Sequence, residues 1–250
     1  MLKVNVENIT FTGGKNRQTL LQSINFELHD GNVYTILGKN GTGKSTLIKS
    51  LTGLLDKNIF YVNGTVYFDE KNLFSIEPEL LRKIRQDKIR YVFQDAVNSF
   101  DPLKTFEYYF ENSNAEKEKI DSLLKYFLLP AYDEISRLYP YEVSGGMAQR
   151  LSMVLAFAVN PKLIIFDEPT SGVDYAVANL LLLKLKEFTK EDNNIALMVT
   201  QDINFAEKVS DEVALLSNES LSPFSSTKEF FTKSDDKILN EFINSYNEIR

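Results

Sequence analysis

Two short stretches carry residue types that could act on phosphate. The first, GKNGTGKST at Gly38–Thr46, sets Gly38, Gly41 and Gly43 around a chain that ends in Lys44, Ser45 and Thr46. Glycines let a backbone curl until its N–H groups face an anion, a following helix adds the positive end of its dipole, and lysine supplies a point charge. Ser45 offers a hydroxyl to Mg²⁺. The second stretch, LIIFDEP, delivers Asp167 and Glu168 at the end of an apolar run. One carboxylate there suits the outer shell of the magnesium, and the other suits a water that must be oriented or deprotonated. The same residue types also end ordinary strands at surface turns, so the pair gains its meaning from the loop. A third stretch, YEVSGGMAQRLSM, breaks an apolar helical pattern with Ser144, Gly145 and Gly146. It repeats the phosphate-friendly composition far from the first loop.

These residues need a scaffold. NVYTIL runs straight into the glycines of the first loop and LIKSL follows it, which reads as strand, loop and helix. KLIIF and IALMVT are continuously apolar, the pattern of strands buried on both faces of a parallel sheet. Before the loop, Val4, Val6 and Ile9 to Phe11, then Ile24, Phe26 and Leu28, alternate as strands. From Ser75 onward PELLRKIR and then Ile120, Leu123, Leu124 and Phe127 recur at helical spacing up to Pro130. The reading is one α/β domain over 1–250. Residues 1–74 and 161–250 form a β subdomain and core, and 75–160 form an inserted helical lobe. A hairpin is expected around VALLSNESLS and an amphipathic helix over DKILNEFINSYNEI.

Composition removes several classes of function. The absence of cysteine excludes thiol nucleophiles, disulfides and thiolate metal sites. The net charge of −7, with Lys and Arg dispersed, leaves no basic stripe for nucleic acid. His29, the single histidine, stands in a turn sequence and builds no metal site by itself. The apolar stretches LSMVLAFAV and ANLLLLKL fall short of the roughly 20 residues that span a bilayer, so a soluble, cytoplasmic chain is expected.

Taken in order, the motifs make the chain similar to the ATPases of ABC transporters. Phe11 matches the aromatic that stacks on adenine, Gln94 in YVFQD the Q-loop, VSGGMAQR with Gln149 the signature, and SGVD ending in Asp174 the D-loop. The resemblance implies a P-loop ATPase fold, with a RecA-like mixed sheet, an antiparallel β subdomain and an α-helical insert. It implies ATP and Mg²⁺ as ligands. Gly38, Asn40, Gly41, Gly43, Lys44, Ser45 and Thr46 would hold the phosphates, Ser45 and Gln94 the metal with Asp167 behind it, and Glu168 would be catalytic with Gln94 assisting. It further implies a head-to-tail dimer in which Ser144, Gly145 and Gly146 bind the γ-phosphate held by the other subunit.

The chain departs from the pattern after IALMVT, where the family has a histidine and this sequence has Gln201. Glutamine keeps a hydrogen-bond donor but carries no charge. Loss of one such donor to developing charge costs roughly 10²–10³ in rate, so a slowed site is expected rather than a dead one. Met147 and the segment FQDAVNSFDP resemble the peptide and nickel importers, although Phe100-Asp101-Pro102 replaces the usual Leu-Asn-Pro. The missing cysteines and short tail favour the nickel or metallophore members of that branch. On this reading the chain works at the cytoplasmic face of the cell membrane with two permease subunits, a second and homologous ATPase subunit, and indirectly an extracellular substrate-binding protein. The alternatives are a soluble cassette, such as an iron–sulfur assembly ATPase, and a degenerate regulatory cassette.

Overall fold

A computed structural model describes residues 1–13, 17–232 and 240. The expected C-terminal amphipathic helix lies outside the described residues. The centre is a sheet of seven strands whose middle four run parallel to β6: β3 (Val33–Leu37), β6 (Ile89–Val92), β7 (Leu163–Asp167), β8 (Ile195–Thr200) and β9 (Glu212–Ser217) stand in the order β9-β3-β8-β7-β6. Two short strands, β10 (Ser220–Leu221) and β11 (Ser225–Ser226), pair antiparallel with β9, and β9 with β10 is the expected hairpin. Every residue of β3, β7 and β8 is buried, as their unbroken apolar runs predict.

Alternation along these strands sorts side chains to two faces. Leu163 and Ile165 of β7, with Ile195, Leu197 and Val199 of β8, pack on the helix α1 (Lys44–Leu51) and on a second sheet. That sheet is antiparallel and joins β1 (Leu2–Phe11), β2 (Gln18–Leu28), β4 (Phe60–Phe68) and β5 (Lys71–Asn72) in the order β2-β1-β4-β5. In β1, Leu2, Val4 and Val6 turn inward while Lys3 and Asn5 turn out, so its period of two has one wet face.

Ile164 and Phe166 of β7 and Ala196 and Met198 of β8 face the other way. They meet α6 (Gly145–Ala158), α7 (Tyr175–Lys190) and the small helices α3 (Phe106–Glu111), α4 (Lys117–Tyr126) and α5 (Tyr132–Ile135) in one continuous core. Phe157 of α6 joins the parts, with its ring 6.1 Å from Phe127 in the lobe, 6.0 Å from Phe166 in the sheet and 5.6 Å from Phe188 of α7. The lobe is therefore mounted on the sheet by aromatic packing. A third, smaller cluster holds α8 (Ile203–Val209) and α9 (Thr227–Thr232) on β9.

The stretch 75–160 is not helical throughout. Helix α2 (Pro78–Asp87) leads straight into β6, the edge strand of the central sheet, and Ile84 and Ile89 belong to the same core as α1. Arg85 fastens α2 to the end of α1 by donating to the carbonyls of Thr52 at 2.8 Å and Gly53 at 3.0 Å. The helical lobe begins only after β6. Four apolar-rich residues beside a polar loop gave no signal of a strand, and pairing with β7 decides it.

Candidate functional site

The loop at 38–43 connects β3 to α1, and its turn depends on left-handed backbone. Gly41 has φ +82° and Gly43 φ +96°, values that L side chains rarely adopt, and a Cβ on Gly43 would press to 3.2 Å from Leu21. Gly43 sits at the N-cap of α1 with no side-chain cap, so the first amides of the helix remain available to an anion. Asn40 is exposed and Thr46 half-buried on the same turn. Lys44 is only 5% exposed, and its ammonium donates to the carbonyls of Gly38 at 2.9 Å and Lys39 at 3.2 Å.

Strand β7 and the residue after it bring two carboxylates to this loop. Asp167 follows Leu163 and Ile165 on the face toward α1, where its Oδ1 accepts from the Ser45 hydroxyl at 2.8 Å. Its Oδ2 accepts from the Tyr91 hydroxyl at 3.3 Å. Burial pushes the Asp167 carboxyl above the usual range, opposed by the Ser45 hydrogen bond, the Lys49 charge and the Tyr91 hydrogen bond. Burial and the Asp167 charge raise the Tyr91 phenol, which stays a protonated donor. Lys49 lies one turn beyond Ser45 on α1, with its ammonium 5.9 Å from the centre of the Phe93 ring.

Glu168 is 8% exposed and has φ +49°, a strained conformation for a residue with a Cβ. The neighbouring strand holds it there. Its N–H donates to the Val199 carbonyl at 2.9 Å, and its Oε2 accepts from the Thr200 hydroxyl at 3.0 Å and the Gln201 N–H at 3.2 Å. Its Oε1 lies 3.1 Å from the Lys44 ammonium, a charge contact without hydrogen-bond alignment. The Gln201 side chain itself is exposed.

Beside Ser45 and Asp167 opens a cavity of about 400 Å³ that Lys49, Phe93, Gln94 and Asn98 also line. Gln94 is exposed at its edge. A serine hydroxyl, a glutamine amide and one aspartate are hard oxygen donors, the set that suits Mg²⁺ when phosphates complete its shell. The residues present fit that ion. Phe11, at the end of β1, is half-buried with its ring edge-on to Phe60 at 5.5 Å.

Ser144 stands apart from this cluster as the N-cap of α6, accepting from the Met147 N–H at 3.3 Å. Ser144 and Gly145 are exposed, a Cβ on Gly145 would meet open space, and one on Gly146 would lie 3.2 Å from the Gly172 carbonyl. Asp174 is exposed and caps α7 through the Val177 N–H at 2.9 Å. Gln149 lies in the second turn of α6. It is 2% exposed, with its side-chain nitrogen buried and unpaired, so it faces the interior of the lobe and not the surface that Ser144 and Gly145 offer. The cap predicts a modest effect: Ser144→Ala should lower stability by about 1 kcal/mol in urea denaturation, with an unchanged slope.

Residues 21–171 match the ABC transporter family model, a span that takes in the loop, Gln94, Ser144–Gly146 and Asp167–Glu168. The chain belongs to the ABC transporter family. It is an ABC-type ATPase that binds nucleotide. Among its relatives, the metal-staphylopine import system ATP-binding protein of Staphylococcus aureus is 31% identical over 227 residues, covering 87% of this chain and 83% of that one. The oligopeptide transport ATP-binding protein of Salmonella typhimurium is 30% identical over 225 residues, covering 86% and 67%. In structure, a dimeric ATP-binding cassette in a post-hydrolysis state, bound to ADP and Pi, superposes with a TM-score of 0.78 at 26% identity, over 91% of this chain and 99% of that one. Among the described residues no helix of this ABC ATPase is long and apolar enough to cross a membrane.

Three residues at the site gave no sign in the sequence. Tyr91 lies in the stretch expected to be helical, Lys49 in the helix after the loop and Thr200 at the end of the apolar run IALMVT, and none of them was singled out. Only the sheet register brings Tyr91 and Thr200 to the carboxylates.

Proposed function

We propose that this ABC ATPase is the ATP-hydrolysing subunit of a membrane importer, powering uptake of a metal chelate, nickel included, or of an oligopeptide. The observation that carries the reading is the contact of Lys44 with Glu168 beside Ser45 and Asp167, since it unites phosphate binding, metal binding and a base within one turn of α1. The loop from Gly38 to Thr46, Asn40 included, receives the phosphates, and Phe11 receives the adenine. Ser45 and Gln94 would hold Mg²⁺ with Asp167 behind them, and the ion would neutralise the charge that develops on the phosphates.

Glu168 orients the attacking water and takes its proton. Its backbone strain and its two donors, at the end of β8 and just after it, fix the carboxylate before substrate arrives, so little reorganisation accompanies the reaction. Lys44 must turn from Glu168 to the γ-phosphate, which frees Oε1 for the water. Gln201 contributes a neutral donor at the same phosphate.

The exposed Ser144 and Gly145 and the half-buried Gly146, at the start of a 14-residue helix, suit the γ-phosphate of a second ATPase subunit, with Asp174 at the same junction. The partner is inferred to be homologous but different, because a second composite site with a histidine would make Gln201 tolerable. Permease subunits in the membrane complete the complex, an extracellular binding protein feeds it, and nucleic acid has no part. The chain then sits peripherally at the cytoplasmic face. Neither alternative, the soluble assembly cassette or the purely regulatory one, accounts as well for relatives that serve import together with a held Glu168.

The test is steady-state phosphate release by the purified chain with and without its permease subunits in lipid nanodiscs. Turnover should rise several-fold with the permease and again with loaded binding protein. An ATPase rate indifferent to both would overturn the importer reading.

A further inference from the structure

Asp167 is fixed by two donors, and only one of them belongs to the phosphate-binding loop. The other is Tyr91, which reaches across from the neighbouring strand. Ile89 and Tyr91 of β6 share the α1-facing side of the sheet with Leu163, Ile165 and Asp167 of β7, and Tyr91 pairs in register with Ile165. Asp167 is thus its diagonal neighbour one pleat further on, within the span of a tyrosine but not of a shorter side chain. The Tyr91 ring is itself held, tilted against Phe93 with centroids 4.3 Å apart.

The consequence lies in the freedom of the carboxylate. With the Ser45 hydroxyl on Oδ1 alone, Asp167 could still swing about that bond. A second donor on Oδ2 fixes its plane relative to Ser45. An outer-shell partner that orients a metal's ligand is worth roughly 10–100-fold in affinity or activity, and Asp167, as that partner of Ser45, is itself oriented by Tyr91. We propose that Tyr91 is a positioning residue that orients Asp167 for Mg²⁺ bound at Ser45, acting through Asp167 and not on the nucleotide. This deepens the reading of Asp167 as the metal-side carboxylate and rests on it.

Tyr91→Phe removes the hydroxyl and keeps the ring against Phe93. The experiment is electron paramagnetic resonance titration of Mn²⁺ into the full chain with ADP, for wild type, Tyr91→Phe and Asp167→Asn. Binding of a fluorescent ADP analogue without metal and thermal melting accompany it. Tyr91→Phe should weaken Mn²⁺ about tenfold and leave metal-free nucleotide binding unchanged, and Asp167→Asn should weaken Mn²⁺ further. Wild-type Mn²⁺ affinity in Tyr91→Phe, with Asp167→Asn impaired, overturns the role of Tyr91 alone. Wild-type affinity in Asp167→Asn overturns the metal-side reading of Asp167 itself. An equal loss of metal-free nucleotide binding and Mn²⁺ in Tyr91→Phe assigns the tyrosine to the structure of the site and overturns the proposal too.

Discussion

Glu168→Gln should leave nucleotide binding intact and lower turnover by on the order of 10³, within the range that a positioned general base contributes. The amide is nearly isosteric, and its oxygen can still accept from the Thr200 hydroxyl and the Gln201 N–H that hold Oε2 at 3.0 Å and 3.2 Å. It has no basic lone pair to take a proton from water. The variant also loses the negative charge opposite Lys44, and that lysine is only 5% exposed. A buried ammonium without its partner is costly. Free Glu168→Gln should therefore melt below wild type, and ATP, whose phosphates restore negative charge, should raise its melting temperature by more than it raises that of wild type. Phosphate release, fluorescent-nucleotide binding and paired melts with and without ATP check the three parts. Turnover within tenfold of wild type would remove Glu168 from the role of base.

How much of this was legible beforehand follows from which contacts are local. The loop from Gly38 to Thr46 announces itself because its chemistry is consecutive in the chain and framed by the apolar runs of β3 and α1. The strands β7 and β8 are equally plain, since burial on both faces leaves unbroken hydrophobic sequence. The strand β6 escaped because an edge of four residues has half its side chains on intermediate ground and follows directly on a helix. Tyr91 escaped with it, since its reach to Asp167 depends on parallel register between strands separated by the whole lobe. The burial of Gln149 was hidden for another reason. Helix α6 buries residues around most of its circumference, so no polar stripe separates an inner from an outer face, and membership of the VSGGMAQR motif said nothing of direction.

The same geometry decides what Gln201→His should do. On the proposed reading the residue after β8 would have two separable tasks, holding the catalytic carboxylate and donating to the γ-phosphate. The first does not need its side chain here: Glu168 is held by the backbone N–H of Gln201 and by Thr200, whose hydroxyl accepts in turn from the Asp202 N–H at 3.0 Å. Both contacts survive any substitution at 201 that keeps the backbone in place. What the side chain would govern is the second task, and an exposed neutral amide would perform it with less charge and more rotational freedom than an imidazole. Gln201→His should accordingly raise the turnover of the chain assembled with itself by on the order of 10², the usual value of one well-placed donor to developing charge. The affinity for ATP should move far less, because the gain belongs to the transition state. In the background of Glu168→Gln the histidine should restore nothing, since it supplies no base. A wild-type rate that equals that of Gln201→His would mean that the glutamine is a full substitute and that this chain's own site drives transport. A rise confined to the histidine variant would make that site the slow half of an asymmetric pair, with Ser144–Gly146 serving the nucleotide of the faster one.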